Sequence, residues 1–84
     1  MPKTIFTGEN QHVVQTIKAA RLKAGLRQSD LAKILGKDQS WVSLVERSQR
    51  RLDVVEFIIV AKALNIKPEV LFADLLARLS SEQH

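Results

Sequence analysis

The sequence predicts an all-α domain of five helices. Three observations point there. Apolar residues recur at helical spacing almost throughout, cap residues punctuate the periodic runs, and only one run carries enough β-branched residues to suit a strand. At 84 residues the chain is one domain at most. Its 45% hydrophobic and 26% charged composition is that of an ordinary globule rather than a disordered or low-complexity segment.

The first helix carries Val13, Ile17, Ala20 and Ala24 at i, i+4, i+7 and i+11 as one stripe and stops near Gly25. Thr7 and Asn10 are both candidate N-caps for it. A short second helix fits Gln28 to Leu35, with Leu31, Ala32 and Leu35 turned inward and Gly36 in the left-handed position that ends it. Asp38 suits the N-cap of a third helix, about Gln39 to Arg47, which buries Val42 and Val45.

The run Val54 to Val60 is the ambiguous one, and its flanks decide it. Asp53 and Glu56 form a capping-box pair, with Leu52 and Phe57 at the staple positions around it. The pattern continues through Ala61, Ala63 and Leu64 to Asn65, too long for an ordinary strand, so a buried fourth helix is expected. Pro68 then stands at a first helical position, with Ile66 and Leu71 spaced as a second staple. Val70, Leu71, Phe72, Leu75, Leu76 and Leu79 are more apolar residues than one short helix can bury against a small core. Leu71, Phe72 and Leu75 are assigned to the core, and Leu76 and Leu79 to the interface of a symmetric homodimer.

Much chemistry is missing. The chain has no Cys, which excludes disulfides and thiolate sites and fits a reducing, cytoplasmic compartment. His12 and His84 lie at opposite ends, and the three glycines are isolated, so neither a metal site nor a phosphate-cradling loop is expected. No cofactor is expected, and the chain does not read as an enzyme. No apolar run approaches the ~18 residues of a membrane span, and Met1 to Asn10 lacks the apolar core of a signal peptide.

The net charge is +4, unevenly spread. Between Ile17 and Leu52, Lys18, Arg21, Lys23, Arg27, Lys33, Lys37, Arg47, Arg50 and Arg51 face only Asp30, Asp38 and Glu46, an excess of six positive charges. From Asp53 onward the balance is −2. A basic middle suggests a polyanion partner such as nucleic acid, although a solvated basic face gives the same count.

Two short helices joined by a Gly-containing turn match the DNA-binding helix-turn-helix. The stretch Gln28-Ser29-Asp30-Leu31-Ala32-Lys33-Ile34-Leu35-Gly36-Lys37-Asp38-Gln39-Ser40-Trp41-Val42-Ser43-Leu44-Val45-Glu46-Arg47 resembles the phage-repressor (Cro and lambda-repressor-like, XRE-type) family. The resemblance runs from about Ile17 to Phe72, and Arg50-Arg51-Leu52-Asp53-Val54-Val55-Glu56-Phe57 is similar to a group of small stand-alone bacterial members. It implies a compact five-helix, lambda-repressor-like DNA-binding domain with the helix-turn-helix at helices 2 and 3. It also implies that Gln39, Ser40, Ser43 and Leu44 read bases, Gln bonding an adenine edge and Leu44 meeting a thymine methyl. Gln28 stands where the family contacts a phosphate, and Arg50 and Arg51 are placed to neutralise others. Arg21 and Glu46 correspond to a family pair that ties the first helix to the third rather than touching DNA.

Three positions depart from the family pattern. Arg27 replaces the usual Ser or Thr cap and gains a phosphate contact; Lys37 replaces an apolar turn residue, with its amine free to reach solvent or DNA. Ser48 replaces a common Gly, so a left-handed bend there is strained. Trp41 fits either packing or DNA contact. The chain is thus expected to comprise an N-terminal arm over residues 1–7, the DNA-binding and dimerisation domain over 8–79, and a flexible tail over 80–84. The expected function is a homodimeric transcriptional repressor on a palindromic operator in double-stranded DNA. A second reading is an antitoxin or adaptor that binds a partner protein through the acidic, apolar C-terminal third.

Overall fold

The computed structural model describes residues 8–82, and side chains through residue 80. It contains α1 (Asn10–Lys23), α2 (Gln28–Leu35), α3 (Gln39–Glu46), α4 (Val54–Ala63) and α5 (Pro68–Glu82), with no strand among the described residues. The first four helices end in the same way. Gly25, Gly36, Ser48 and Asn65 each take a left-handed backbone, with φ of 77, 70, 59 and 61°. The N–H of the following residue then reaches back five positions: Leu26 to the Arg21 carbonyl, Lys37 to Ala32, Gln49 to Leu44 and Ile66 to Ala61, at 2.8–3.1 Å. Each ending satisfies helical carbonyls and reverses the chain over few residues. Ser48 carries the strain that a glycine would avoid, and its hydroxyl accepts a 2.9 Å bond from Asn10 Nδ2.

The helix starts are less uniform. At α4, Asp53 Oδ1 accepts the Glu56 N–H at 2.7 Å and Glu56 Oε1 accepts the Asp53 N–H at 3.0 Å, the reciprocal box that tips a β-branched run into helix. At α2 only the return half forms: Asp30 accepts the Arg27 N–H at 2.8 Å, since a guanidinium has no acceptor to offer. Asp38 occupies the N-cap position of α3, but its side chain makes no cap bond. Glu9 rather than Asn10 precedes α1; Thr7 lies outside the described residues.

Ile17, Leu31, Ala32, Val42, Val60, Ala61, Leu64 and Leu71 form one core, to which every helix contributes. Helix α2 packs on α3 and α4, α1 on α3 and α5, and α4 on α5. Leu52, Phe57 and Ile66, all at staple positions, close over the core from the loops and α4.

Four expectations need correction. The buried residues of α1 are Val14, Thr16, Ile17 and Arg21, a face rotated from the Val13–Ile17–Ala20–Ala24 stripe, with Arg21 turned inward to a partner on α3 and Ala20 half-buried at the edge. Helix α4 is not buried throughout: Val54, Val55 and Ile59 are exposed, since α2 and α5 pack against only part of its circumference. Phe72 is 49% exposed, touching Phe57 edge-on at a 6.2 Å centroid distance instead of entering the core. Finally, α5 runs to Glu82, so residues 80–82 are helical rather than part of a tail.

Gly36→Ala tests the α2 ending. A Cβ there meets no atom within 4 Å, so the cost is the left-handed conformation alone. We expect a loss of about 1 kcal/mol and a melting temperature ~4–8 °C lower, read by thermal denaturation.

Candidate nucleic-acid interface

The orientation of α3 is set from below by a buried ion pair. Arg21 Nε and Nη2 donate to the two carboxylate oxygens of Glu46 at 2.7 and 3.0 Å, while Nη1 donates to the Leu26 carbonyl at 2.8 Å. The side chains are 7% and 3% exposed. One guanidinium therefore joins α1, the loop before α2 and the end of α3, with the bidentate geometry that fixes direction as well as distance.

The network continues outward. Gln28 Nε2 donates to Glu46 Oε1 at 3.0 Å, and Gln28 Oε1 accepts from Gln39 Nε2 at 2.8 Å. A buried charge thereby holds Gln28, at the first position of α2, and Gln28 holds Gln39, at the first position of α3. Gln39 and Ser40 are exposed, with Ser43 and Leu44 half-buried on the same short helix. Ser40, Trp41 and Leu44 line a shallow depression with Gly36, Lys37 and Asp38.

The cations placed around this surface fall into two groups. Arg27 is exposed and pairs with Asp30 at 3.2 Å; Lys37 is exposed, with Nζ 5.5 Å from the Trp41 ring centroid. Arg50 lies 5.0 Å from the same ring and donates to both oxygens of Glu56 at 3.0 and 2.8 Å; Arg51 is exposed beside it. Trp41 thus packs against the core and is flanked by two cations at the protein surface. The Arg50 bonds, and then the Asp53 N–H, hold the Glu56 carboxyl below the usual carboxylate range. Whatever stability this gives is present above the ordinary glutamate pKa and lost as pH falls through the lowered one. Two features escaped the sequence: Glu56 reads there only as a cap, and the Gln28–Gln39 bond spans eleven residues with no pattern to announce it. Among the described residues, no group of His, Cys, Asp or Glu could hold a metal ion, and no helix is long and apolar enough to cross a membrane.

Comparison with known proteins matches this architecture. The helix-turn-helix family fits residues 17–71, which span α2, α3 and the helices that support them. The chain belongs to the XRE-type helix-turn-helix family. An XRE-family like protein from Pseudomonas syringae pv. tomato str. DC3000 is 36% identical, with a TM-score of 0.78, over 88% of this chain and 90% of that one. The wild-type restriction-modification controller protein C.Esp1396I is 28% identical, with a TM-score of 0.81, over 93% and 97% of the two chains. The same controller protein as a tetramer in complex with its natural 35 base-pair operator gives 30% identity and a TM-score of 0.77, over 84% and 93%. No protein of curated function matches the sequence significantly.

In this XRE-type chain, Glu46→Ala strands a buried guanidinium and releases Gln28. A loss of ~3–5 kcal/mol is expected, lowering the melting temperature by at least ~10 °C. An unchanged melting curve contradicts the anchoring role.

Proposed function

We propose that this chain is a transcriptional repressor that binds a palindromic operator in double-stranded DNA as a homodimer. The observation that carries the reading is the chain of bonds from the buried Arg21–Glu46 pair through Gln28 to Gln39. It presents a polar, pre-oriented side chain at the start of an exposed helix surrounded by cations. Pre-orientation matters because a contact made by an already ordered side chain loses less entropy on binding. In this reading α3 enters the major groove, where Gln39, Ser40, Ser43 and Leu44 meet base edges. Gln28, Arg27, Lys37, Arg50 and Arg51 lie around it to engage phosphates. Membership in the XRE-type family supports DNA binding, as does the similarity to a controller protein seen on its operator. In this reading the protein acts in the cytoplasm.

Selection of bound sequences from random duplex DNA tests the reading, with a two-fold-symmetric motif as the expected result. Capture of one specific partner protein, with no duplex preferred, would instead favour an adaptor. Gln39→Ala should relax preference at particular base pairs by about 1–3 kcal/mol. Lys37→Ala should instead weaken all duplexes alike and lower the salt slope by roughly 1. Uniform loss in the Gln39 variant contradicts base reading.

A single short recognition helix reads few base pairs, too few for selectivity against genomic competition. Two copies related by a two-fold axis place their recognition helices ~34 Å apart, one duplex turn. The surface for this lies on α4 and α5. Val54, Val55 and Ile59 on α4 and Phe72 and Leu76 on α5 are exposed, while Leu79 is half-buried. Between these helices an open groove of about 530 Å³ is lined by Val54, Phe57, Ile58, Phe72 and Leu75. The interface thus widens from Leu76 and Leu79 to include Phe72 and the outer residues of α4. Sedimentation equilibrium at micromolar concentration should show a wild-type dimer and a monomeric Phe72→Asp, Leu76→Asp variant. A monomeric wild type with a two-fold footprint would show that assembly occurs on DNA.

A further inference from the structure

Arg50 is held on two sides before any ligand arrives. Its guanidinium carbon sits 5.0 Å from the Trp41 ring centroid, while Nη1 and Nη2 donate to Glu56 at 3.0 and 2.8 Å. Nη1 also donates to the Arg51 carbonyl at 2.8 Å. Glu56 is itself immobile for a separate reason. Its Oε1 accepts the Asp53 N–H, so the carboxylate cannot swing away without opening the cap of α4. The side chains of Arg50 and Glu56 nonetheless remain 36% and 24% exposed, within reach of a molecule approaching α3.

Two consequences follow for a polyanion. Non-specific attraction grows with the number of cations that displace counterions from phosphates, and a guanidinium already paired with a carboxylate contributes little to that number. A fixed guanidinium also cannot search for whichever phosphate lies nearest. A free arginine side chain has the rotamer freedom to do so. Compensation lowers attraction to every duplex, whereas fixation spares a duplex whose shape brings an acceptor to the place where Arg50 already stands. That preformed contact offsets the lost attraction there alone.

We propose that Glu56 is a specificity-determining residue: it compensates Arg50 and pins it beside Trp41, suppressing attraction to unrelated DNA while leaving the arginine set for the correct site. The proposal rests on the DNA-binding reading and adds a negative element to it, since discrimination is gained by disfavouring wrong partners as well as by contacting the right one.

Glu56→Gln tests it, because the amide retains an acceptor for the α4 cap and loses the charge. Binding is measured against salt for two probes: a duplex selected by the wild-type protein and a random-sequence duplex of equal length. The variant is expected to bind the random duplex about threefold to tenfold more tightly near 0.1 M salt, with a slope steeper by about 0.9, the contribution of one further phosphate. Affinity for the selected duplex should change less than threefold, so the ratio between probes falls. Adding Arg50→Ala should abolish the extra slope. Trp41 is the only tryptophan in the sequence, so its emission without DNA should also shift in Glu56→Gln as Arg50 leaves the ring. An unchanged slope and ratio would reduce Glu56 to a helix cap and overturn the proposal. So would an equal loss on both probes, or extra slope that persists without Arg50. A wild type that binds no duplex at any salt overturns the DNA reading itself, and this proposal with it.

Discussion

The position of α3 depends on one buried ion pair. Arg21 and Glu46 are nearly free of solvent, and the remaining guanidinium edge is satisfied by the Leu26 carbonyl. Such a pair need not stabilise the fold more than apolar residues of the same size would, because desolvating both charges offsets their attraction. What it supplies is direction. Apolar contacts between Val42, Val45 and the core tolerate small rotations of a two-turn helix, whereas a bidentate pair does not. The same carboxylate then binds Gln28, and Gln28 binds Gln39, so hydrogen bonds add to helix packing in carrying the rigidity of the interior to the surface. A core mutation that moves α1 therefore moves Gln39 as well.

The cations around α3 differ in how available they are. Counting charge along the chain gives a strongly basic middle, but Arg27 faces Asp30 and Arg50 faces Glu56, each at hydrogen-bond distance. Exposed pairs of this kind contribute little to stability. Their effect is on the field outside the protein, which is weaker and more structured than the count suggests. Trp41 belongs to this arrangement. It rests on the core, and both Lys37 and Arg50 approach its ring, at 5.5 and 5.0 Å from the centroid.

The apolar surface of α4 and α5 has a geometric origin. A chain of this length buries only about 60–65% of its unfolded surface, and five short helices cannot cover one another on every side. Helix α4 is apolar around most of its circumference, yet only Val60 and Ala61 are fully enclosed. The leftover face gathers Val54, Phe57, Ile58 and Phe72 around one groove. A contiguous apolar patch of this kind marks an interaction surface, unlike scattered surface leucines, and the homodimer proposed above would cover it.

Sequence by itself determined the elements and their punctuation. Gly36 ends α2, Asp53 and Glu56 cap α4, and Pro68 begins α5 where local chemistry places them, because caps and left-handed residues act within one helical turn. The positions around α3 were legible from the resemblance. The inward faces of α2 and α3 and the Arg21–Glu46 pair were legible too. Tertiary structure decided which edge of α1 and α5 turns inward and that Arg50 meets Glu56. Arg21 joined the inner face of α1 while Ala24 stayed exposed and Ala20 only half-buried, and Phe72 lost its place in the core to Leu71 and Leu75. The bond between Gln28 and Gln39 and the hold of Glu56 on Arg50 likewise had no local sign. Periodicity gives a helix its apolar arc only to within a residue or so, and which edge of that arc is buried depends on neighbours distant in sequence. A side chain's partner is set where two elements cross, by the packing that fixes the angle between them.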